Sequence, residues 1–125
     1  MNLKVIDGTF AIVRLEPAAE APPLPLGASG LVSVTRTRDE LSILCPDELA
    51  SGFARAHRGL RAIKVDQPLD SGATGVLASL AGPLAEAGVS IFVVSTFDTD
   101  YVLVSGAGLE RARAALAAAG HEFTS

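Results

Sequence analysis

The chain is poor in the residues that mark secreted, membrane-spanning and catalytic proteins. Cys45 is its only cysteine, so an intramolecular disulfide is impossible and nothing points to an oxidising compartment. There is no tryptophan, and no apolar run approaches the length that spans a bilayer. The first residues lack a basic segment followed by an apolar run and a cleavage site. We therefore expect a cytoplasmic protein with no membrane partner.

Positive charge is also scarce. Ten Lys and Arg residues stand against 14 Asp and Glu, for a formal net charge of −4. A nucleic-acid-binding protein normally presents a basic face, whereas these cations are dispersed along the chain, so nucleic acid is not an expected partner. His57 and His121 are far apart, with no Cys or His at ligand spacing, so we expect no metal and no cofactor. Neither histidine is placed beside a candidate nucleophile, and no catalytic residue is predicted.

What the chain does have is apolar content. Hydrophobic residues make up 49% of the 125 residues and charged residues 19%, a balance typical of globular proteins. This length fits one compact domain, or two very small domains that share a core.

Internal repetition is the most informative pattern. Residues 34–44 (VTRTRDELSIL) align without a gap with residues 94–104 (VSTFDTDYVLV), sixty positions apart. In each copy a β-branched strand ends in hydroxyl residues, a polar turn with acidic residues follows, and a second apolar strand comes next. In this register Leu49 aligns with Leu109, each near the start of a predicted helix.

The second copy is complete. The pattern predicts a strand over 60–65, a loop, and a helix from Thr74 that ends at Gly88, with Pro83 as an interior irregularity. Two strands (89–95 and 101–105), a helix (109–119) and an edge strand (121–124) follow. This βαββαβ order predicts an antiparallel sheet with both helices on one face, a ferredoxin-like arrangement.

The first copy is shorter. A strand is predicted over 10–15, but the following proline-rich segment prevents a helix there. Two strands, 31–35 and 40–45, and a helix over 46–57 complete it. We thus predict an α+β protein of two ferredoxin-like repeats, with residues 1–59 lacking the first helix and residues 60–125 complete. Residues 60–65 fit as the last strand of one copy or the first of the other, which an interlocked terminal strand such as 3–6 would accommodate.

The second half resembles a known family. Residues 85–104, AEAGVSIFVVSTFDTDYVLV, and residues 60–69, LRAIKVDQPL, are similar to segments of ACT domains, including small bacterial ACT-domain proteins and the cytosolic arginine sensors of animals. The resemblance covers residues 60–119. It implies a regulatory protein that binds an amino acid or a related metabolite.

The same resemblance places the ligand at an interface between two ACT units. By position it implies contacts from the loop after the first strand and from the turn after the second, namely Asp70, Ser71, Gly72, Ala73, Thr74, Thr96, Phe97 and Asp100. A loop that opens a helix offers free N–H groups to a carboxylate, while Asp98 and Asp100 would meet an ammonium group. Alternatively, Asp70, Asp98 and Asp100 stabilise turns. Phe97 is expected to be half-buried, in a dimer contact or over a ligand.

Three functions follow in order of preference. The first is a non-enzymatic sensor of an amino acid or similar small zwitterion. The second is a protein–protein interaction module with a vestigial pocket. Both predict a homodimer, the commonest closed assembly. The third, a small enzyme on the same fold, has no constellation of residues to support it.

Overall fold

A computed structural model describes residues 1–27, 30–67 and 74–124. In chain order its elements are β1 (Asn2–Val5), β2 (Phe10–Leu15), β3 (Ser33–Arg36), β4 (Leu41–Pro46), β5 (Ala56–Val65), α1 (Val76–Glu86), β6 (Phe92–Ser95), β7 (Asp100–Ser105), α2 (Leu109–Ala118) and β8 (Glu122–Phe123). The chain divides into an N-terminal unit, Asp7–Leu60, and a C-terminal unit, Met1–Ile6 with Arg61–Ser125. The division falls inside β5, so this strand contributes residues to both units.

The C-terminal unit contains the predicted βαββαβ order, from β5 to β8. Its strands are arranged β8–β1–β5–β7–β6, with β1 between the first and last strands of that motif. β1 is antiparallel to β5 and parallel to β8. The parallel pair corrects the expectation of a wholly antiparallel sheet. Because β5 and β8 run in opposite directions, the strand inserted between them must be parallel to one of the two.

Both helices of this unit pack on the same face of the sheet. Register places Leu3 opposite Val65, and both belong to the buried core with Val102 of β7. The helices contribute Leu80 and Leu84 from α1, and Leu109, Ala112 and Leu116 from α2. A fully buried leucine contributes roughly 2–3 kcal/mol through removal of apolar surface from water. The apolar spacing along the two helices predicts one buried face on each, with Leu77 and Ala119 among its residues. These faces form the core of the unit, except that Leu77 and Ala119 are exposed.

Glycine ends both helices. Gly88 and Gly120 have φ angles of 73° and 99°, in the left-handed region that other residues adopt only with strain. Each N–H, and that of the following residue, satisfies a free carbonyl in the last turn of its helix. The predicted end of α1 is confirmed. Its predicted start at Thr74 is wrong: the helix begins at Val76, after Gly75 in the left-handed conformation, and no side chain caps it.

Pro83 lies inside α1, and His121 compensates for it. Proline has no N–H, so the Ser79 carbonyl four residues earlier loses its helical donor. The Nε2 atom of His121 lies 3.0 Å from that oxygen. Because a carbonyl oxygen only accepts, Nε2 carries the hydrogen and donates it. His121, which is buried just after α2, thus joins the end of one helix to the middle of the other.

This compensation predicts an energetic coupling between the two residues. His121→Ala should lower the free energy of unfolding by about 1–2 kcal/mol, partly through the lost hydrogen bond. In a Pro83→Ala background a backbone N–H becomes available to Ser79, so the same substitution should cost about 1 kcal/mol less. Urea unfolding of the four proteins measures the difference. Equal losses in the two backgrounds would show that His121 does not replace the missing donor.

The N-terminal unit is built from β3–β4–β2–β5. No α-helix occurs among its described residues, so the helix predicted over 46–57 is wrong. A 3₁₀ turn, Asp47–Ala50, follows β4, and β5 has already started at Ala56. Ser51 and Gly52 are weak helix formers, and pairing of residues 56–57 with β2 extends the chain instead. The first repeat therefore lacks both α-helices in the described residues, whereas only one was expected to be missing.

The two hairpins, β3–β4 and β6–β7, have the same strand pairing when equivalent residues are numbered 59 apart, not sixty. Val34 pairs with Ile43, and 59 residues later Val93 pairs with Val102. The sequence alignment was therefore wrong by one residue. Strands rich in β-branched residues match one another almost equally well in either register, although a slip of one residue reverses every side chain.

Asp47 anchors the 3₁₀ turn to β5. Its carboxylate accepts hydrogen bonds from Arg58 Nη2 at 2.8 Å and from the Gly59 N–H at 2.9 Å. The Arg58 hydrogen bond, and then the Gly59 N–H, hold the pKa of Asp47 below its ordinary value of 3.8. These interactions favour the ionised carboxylate in the folded state, so they stabilise the fold above the ordinary pKa and are lost as the pH falls through the lowered one.

Asp47→Asn should therefore destabilise the protein in a pH-dependent manner. The difference in unfolding free energy from the wild type should be constant above about pH 5 and should shrink as the pH falls below the ordinary carboxyl range. The neighbouring Glu48→Gln, which alters an exposed carboxylate, is the control and should show no such dependence. If the difference in unfolding free energy stayed constant down to pH 3, the stabilising role of the ionised Asp47 carboxylate would be contradicted.

Candidate functional site

Threonine hydroxyls hold the turn between β6 and β7. The Thr96 N–H donates to the Thr99 carbonyl at 2.8 Å, and the Thr99 N–H donates to Thr96 Oγ1 at 3.3 Å. The Thr99 hydroxyl donates to the carbonyl of Val65, at the end of β5, at 2.7 Å. This last bond fixes the turn beside the end of the central strand.

A crevice of about 420 Å³ opens where the turn meets the strand end. Among the described residues, those that line it are Lys64, Val65, Asp66, Gln67, Asp98 and Thr99. All of them belong to the C-terminal unit. The space is similar in size to many small-molecule sites, although most of those are less polar.

The crevice presents charges of both signs. Lys64 supplies an ammonium group and Asp98 a carboxylate, and neither has a hydrogen bond or ion pair to another described residue. Asp66 adds a second carboxylate to the crevice and accepts from the Thr124 hydroxyl at 3.1 Å, and Gln67 accepts from the Asn2 N–H at 2.8 Å. The arrangement can hold a carboxylate at one end and an ammonium group at the other.

The predicted site residues are placed unequally around this crevice. Asp98 lines it, and Thr96 shapes the turn without lining it. Asp100 begins β7 opposite Ser95, and Thr74 is exposed ahead of α1. Asp70, Ser71, Gly72 and Ala73 lie outside the described residues.

The alternative that Asp98 and Asp100 stabilise the β6–β7 turn is not observed. The Thr96 hydroxyl closes it, whereas Asp98 and Asp100 make no side-chain hydrogen bond to the described part of the chain. Phe97 was expected to be half-buried but is fully exposed, because the four-residue turn projects its second residue into solvent.

The sequence analysis missed most of the crevice wall. Lys64, Asp66 and Gln67 lie at the end of β5, within the segment that carried the resemblance, but only its loop was selected. The alternation of side chains along a strand could have identified Lys64. It is the one charged residue between the apolar residues Ile63 and Val65, which are both buried. A charged residue at such a position faces the opposite side of the sheet.

Cys45 is part of the apolar core of the N-terminal unit. It is buried and borders a cavity of about 80 Å³ whose other lining residues are apolar side chains. Burial, followed by the charges of Asp47 and Glu48, raises the pKa of the thiol. The protonated thiol is a poor nucleophile, as expected for a structural cysteine.

His121 is not arranged as a general base. Its Nε2 donates to the main-chain carbonyl of Ser79, and its Nδ1 lies 3.2 Å from the nitrogen of Met1, so in the described residues neither ring nitrogen is bonded to a serine hydroxyl or a cysteine thiol. Over residues 1–27, 30–67 and 74–124, no group of His, Cys, Asp and Glu side chains is placed to hold a metal ion. No helix in these ranges has the length and apolarity needed to cross a membrane.

The fold is a mixed α+β arrangement of a sheet and two helices. A family model described as ACT domain matches residues 55–118, and a second model, of an N-terminal domain, matches residues 8–51. The chain belongs to the ACT domain family. ACT domains are regulatory, ligand-binding modules and are not catalytic.

Several solved structures share this fold. A protein from Agrobacterium tumefaciens is 40% identical, with a TM-score of 0.86 over 98% of this chain and 91% of its own. A protein of unknown function from Vibrio cholerae, described as a possible transport protein, is 19% identical, with a TM-score of 0.73 over 94% and 88%. The regulatory subunit of aspartate kinase from Thermus flavus is 10% identical, with a TM-score of 0.65 over 95% and 97%. A search of curated protein sequences gives no match.

Proposed function

We propose that the protein is a non-enzymatic sensor that binds a free amino acid or a similar zwitterion in the crevice of its C-terminal unit. One observation carries this proposal. The crevice is lined both by an ammonium group, on Lys64, and by a carboxylate, on Asp98, and neither group makes a hydrogen bond or ion pair to another described residue. A zwitterion matches both charges, whereas a simple amine or acid matches one. The loop residues Asp70–Thr74, together with Thr96, Phe97 and Asp100, stay predictions, as do the arginine-sensor subtype, the domain limits 1–59 and 60–125, and a cytoplasmic location.

The rigidity of the crevice supports the proposal. Asp98 stands in a turn closed by Thr96 and held to β5 by Thr99, so its carboxylate is presented without much conformational freedom. Lys64 extends from a strand paired to β1 on one side and β7 on the other. A ligand therefore meets groups whose backbone is already ordered, which reduces the entropy lost on binding.

A thermal-shift panel tests the proposed function. Each of the twenty amino acids is added at 10 mM, and unfolding is followed by calorimetry because the chain has no tryptophan. A ligand present at 100 times its Kd stabilises the native state by about 2.7 kcal/mol, which raises the Tm by roughly 10 °C in a chain of this size. If all twenty left the Tm unchanged, the sensor would be excluded.

Asp98→Asn provides the site-specific test. It removes the charge and keeps the shape, so it should reduce affinity for the stabilising amino acid at least tenfold, with an effect on unliganded stability within about 0.5 kcal/mol. Asp39→Asn is the matched control, because Asp39 occupies the same place in the β3–β4 turn. Equal loss of affinity in both variants would place the ligand elsewhere.

The second candidate function, an interaction module, is favoured by the edge of β6. In the described residues β6 pairs only with β7, and no charged residue occurs from Ala87 to Phe97. Natural proteins usually protect such an edge with charge or proline. The equivalent strand β3 is protected in this way: Arg36 lies within it and donates to the Pro17 carbonyl. An uncharged edge can pair with its own copy without like-charge repulsion, so we propose a homodimer through β6.

A lysine scan of equivalent positions tests this dimer. Val93→Lys, on the uncharged edge, should shift the protein toward monomer by at least tenfold in dissociation constant. Val34→Lys, on the protected edge, is of comparable exposure (47% against 37%) and should leave assembly unchanged. Phe97→Ala, at a fully exposed side chain, should weaken the dimer without destabilising the fold. Sedimentation across a concentration series gives the answer, and a wild-type monomer at high concentration would refute the dimer.

A further inference from the structure

The N-terminal unit contains a cavity that the proposed sensor function does not use. Its volume is about 80 Å³. Val13 of β2, with Ile43 and Cys45 of β4, forms its floor, and these three residues share one face of the sheet. Residues 22–24 form its roof. Close-packed protein interiors contain few voids larger than a water molecule, so a cavity of this size is not ordinary packing.

The shortened first repeat explains why this cavity exists. In the C-terminal unit, α1 and α2 pack on the sheet and fill the core. The described residues of the N-terminal unit contain no α-helix, and the extended roof covers the sheet instead. An α-helix with its side chains is roughly 10–12 Å across, and an extended segment is thinner. The rings of Pro22 and Pro23 fix their φ angles, which prevents the roof from folding inward to fill the space.

The chemistry of the lining disfavours polar ligands. Among the described residues that line the cavity, every side chain is apolar except that of Cys45, whose thiol is a weak hydrogen-bond donor. A water molecule needs about two to four polar partners to be held in a cavity. A charged molecule or a zwitterion would lose its hydration here with nothing to replace it. The cavity therefore suits an uncharged hydrocarbon group, unlike the charged crevice of the C-terminal unit.

The volume of the cavity sets the size of its ligand. An apolar cavity of roughly 150 Å³ binds benzene or xenon. A cavity of about 80 Å³ has space for xenon, or for a hydrocarbon of about three or four carbon atoms. We propose that this cavity is a second ligand site, for a small uncharged molecule that is, or ends in, a short branched hydrocarbon chain. The site is independent of the crevice, because no described residue lines both.

A ligand can enter this cavity through the roof. The preceding residues are anchored, since the Ala19 N–H donates to the Glu16 carbonyl and Arg36 donates to the Pro17 carbonyl. In the described part of the chain, by contrast, no main-chain hydrogen bond joins residues 20–26 to another residue. The roof can therefore separate from the sheet without breaking main-chain hydrogen bonds, and segments of this kind open locally at low free-energy cost.

Amide spectra of the full chain under xenon pressure, and in buffer equilibrated with isobutane, test the site. We expect saturable shifts that are largest at Val13, Ile43 and Cys45. Cys45 gives a second readout, because it is buried and is the only cysteine in the chain. Saturating isobutane should slow its reaction with a thiol reagent about fivefold or more, since the ligand stabilises the closed state. Shifts spread evenly over the chain, or an unchanged reaction rate, would overturn the proposal.

Substitutions that change the cavity volume give the specific test. Leu24→Ala removes a side chain from the roof, so benzene should bind this variant at least tenfold more tightly than the wild type. Leu26→Ala is the matched control: this leucine is exposed, is two residues further along the segment and does not line the cavity, so benzene affinity should stay within twofold of wild type. Equal affinities for benzene in the two variants would show that the hydrocarbon binds elsewhere.

Variants that fill the cavity should have the opposite effect. Cys45→Met enlarges a floor residue and Leu49→Phe a residue at the side, so each should lower isobutane affinity at least tenfold. Either folded variant suffices for the test, and retention of wild-type affinity in it would refute the site. Asp98→Asn alters only the crevice and should leave isobutane affinity within twofold of wild type. A tenfold loss in that variant would assign the hydrocarbon to the crevice instead.

Discussion

The hydrogen bond from the Thr99 hydroxyl to the Val65 carbonyl holds the candidate site together. Val65 is fully buried at the end of β5, where an unpaired carbonyl would be costly. Thr99 satisfies that group at 2.7 Å and so ties the β6–β7 turn to the strand end. The bond therefore joins the turn that carries Asp98 to the strand that carries Lys64, the two sides of the crevice.

The two hairpins show how one backbone plan can acquire different chemistry. In the β3–β4 turn, Thr37 repeats the role of Thr96: its N–H donates to the Glu40 carbonyl at 2.9 Å, and its hydroxyl accepts from the Glu40 N–H at 3.1 Å. Where the second turn has the Thr99 hydroxyl, the first has Glu40, which has no hydroxyl to donate. The first turn is instead held by Arg14, which donates to the Asp39 carbonyl at 2.9 Å. The two turns therefore share their geometry but are attached to the sheet by different residues.

Local signals in the sequence were sufficient for much of the fold. The apolar spacing of both helices, the glycines at 88 and 120 that end them, and the polar turns between apolar strands all depend on residues a few positions apart. The failures depend on distant partners. The helix expected over 46–57 gave way to pairing with β2 and to the Asp47–Arg58 contact, and the register of 59 is set by cross-strand hydrogen bonds that composition does not encode.

In the candidate site, too, local features could be predicted from the sequence and contacts between distant residues could not. Asp98 was predicted because it stands in an acidic turn, a local feature. Lys64 and its opposition to Lys4 were not, because residues sixty apart become neighbours only through the pairing of β1 with β5. The sequence analysis anticipated an interlocked strand over 3–6, but the repeat gave no register for it, since this strand lies outside the βαββαβ pattern. Its insertion places Lys4 on the same face of the sheet as Lys64, although Lys4 does not line the crevice.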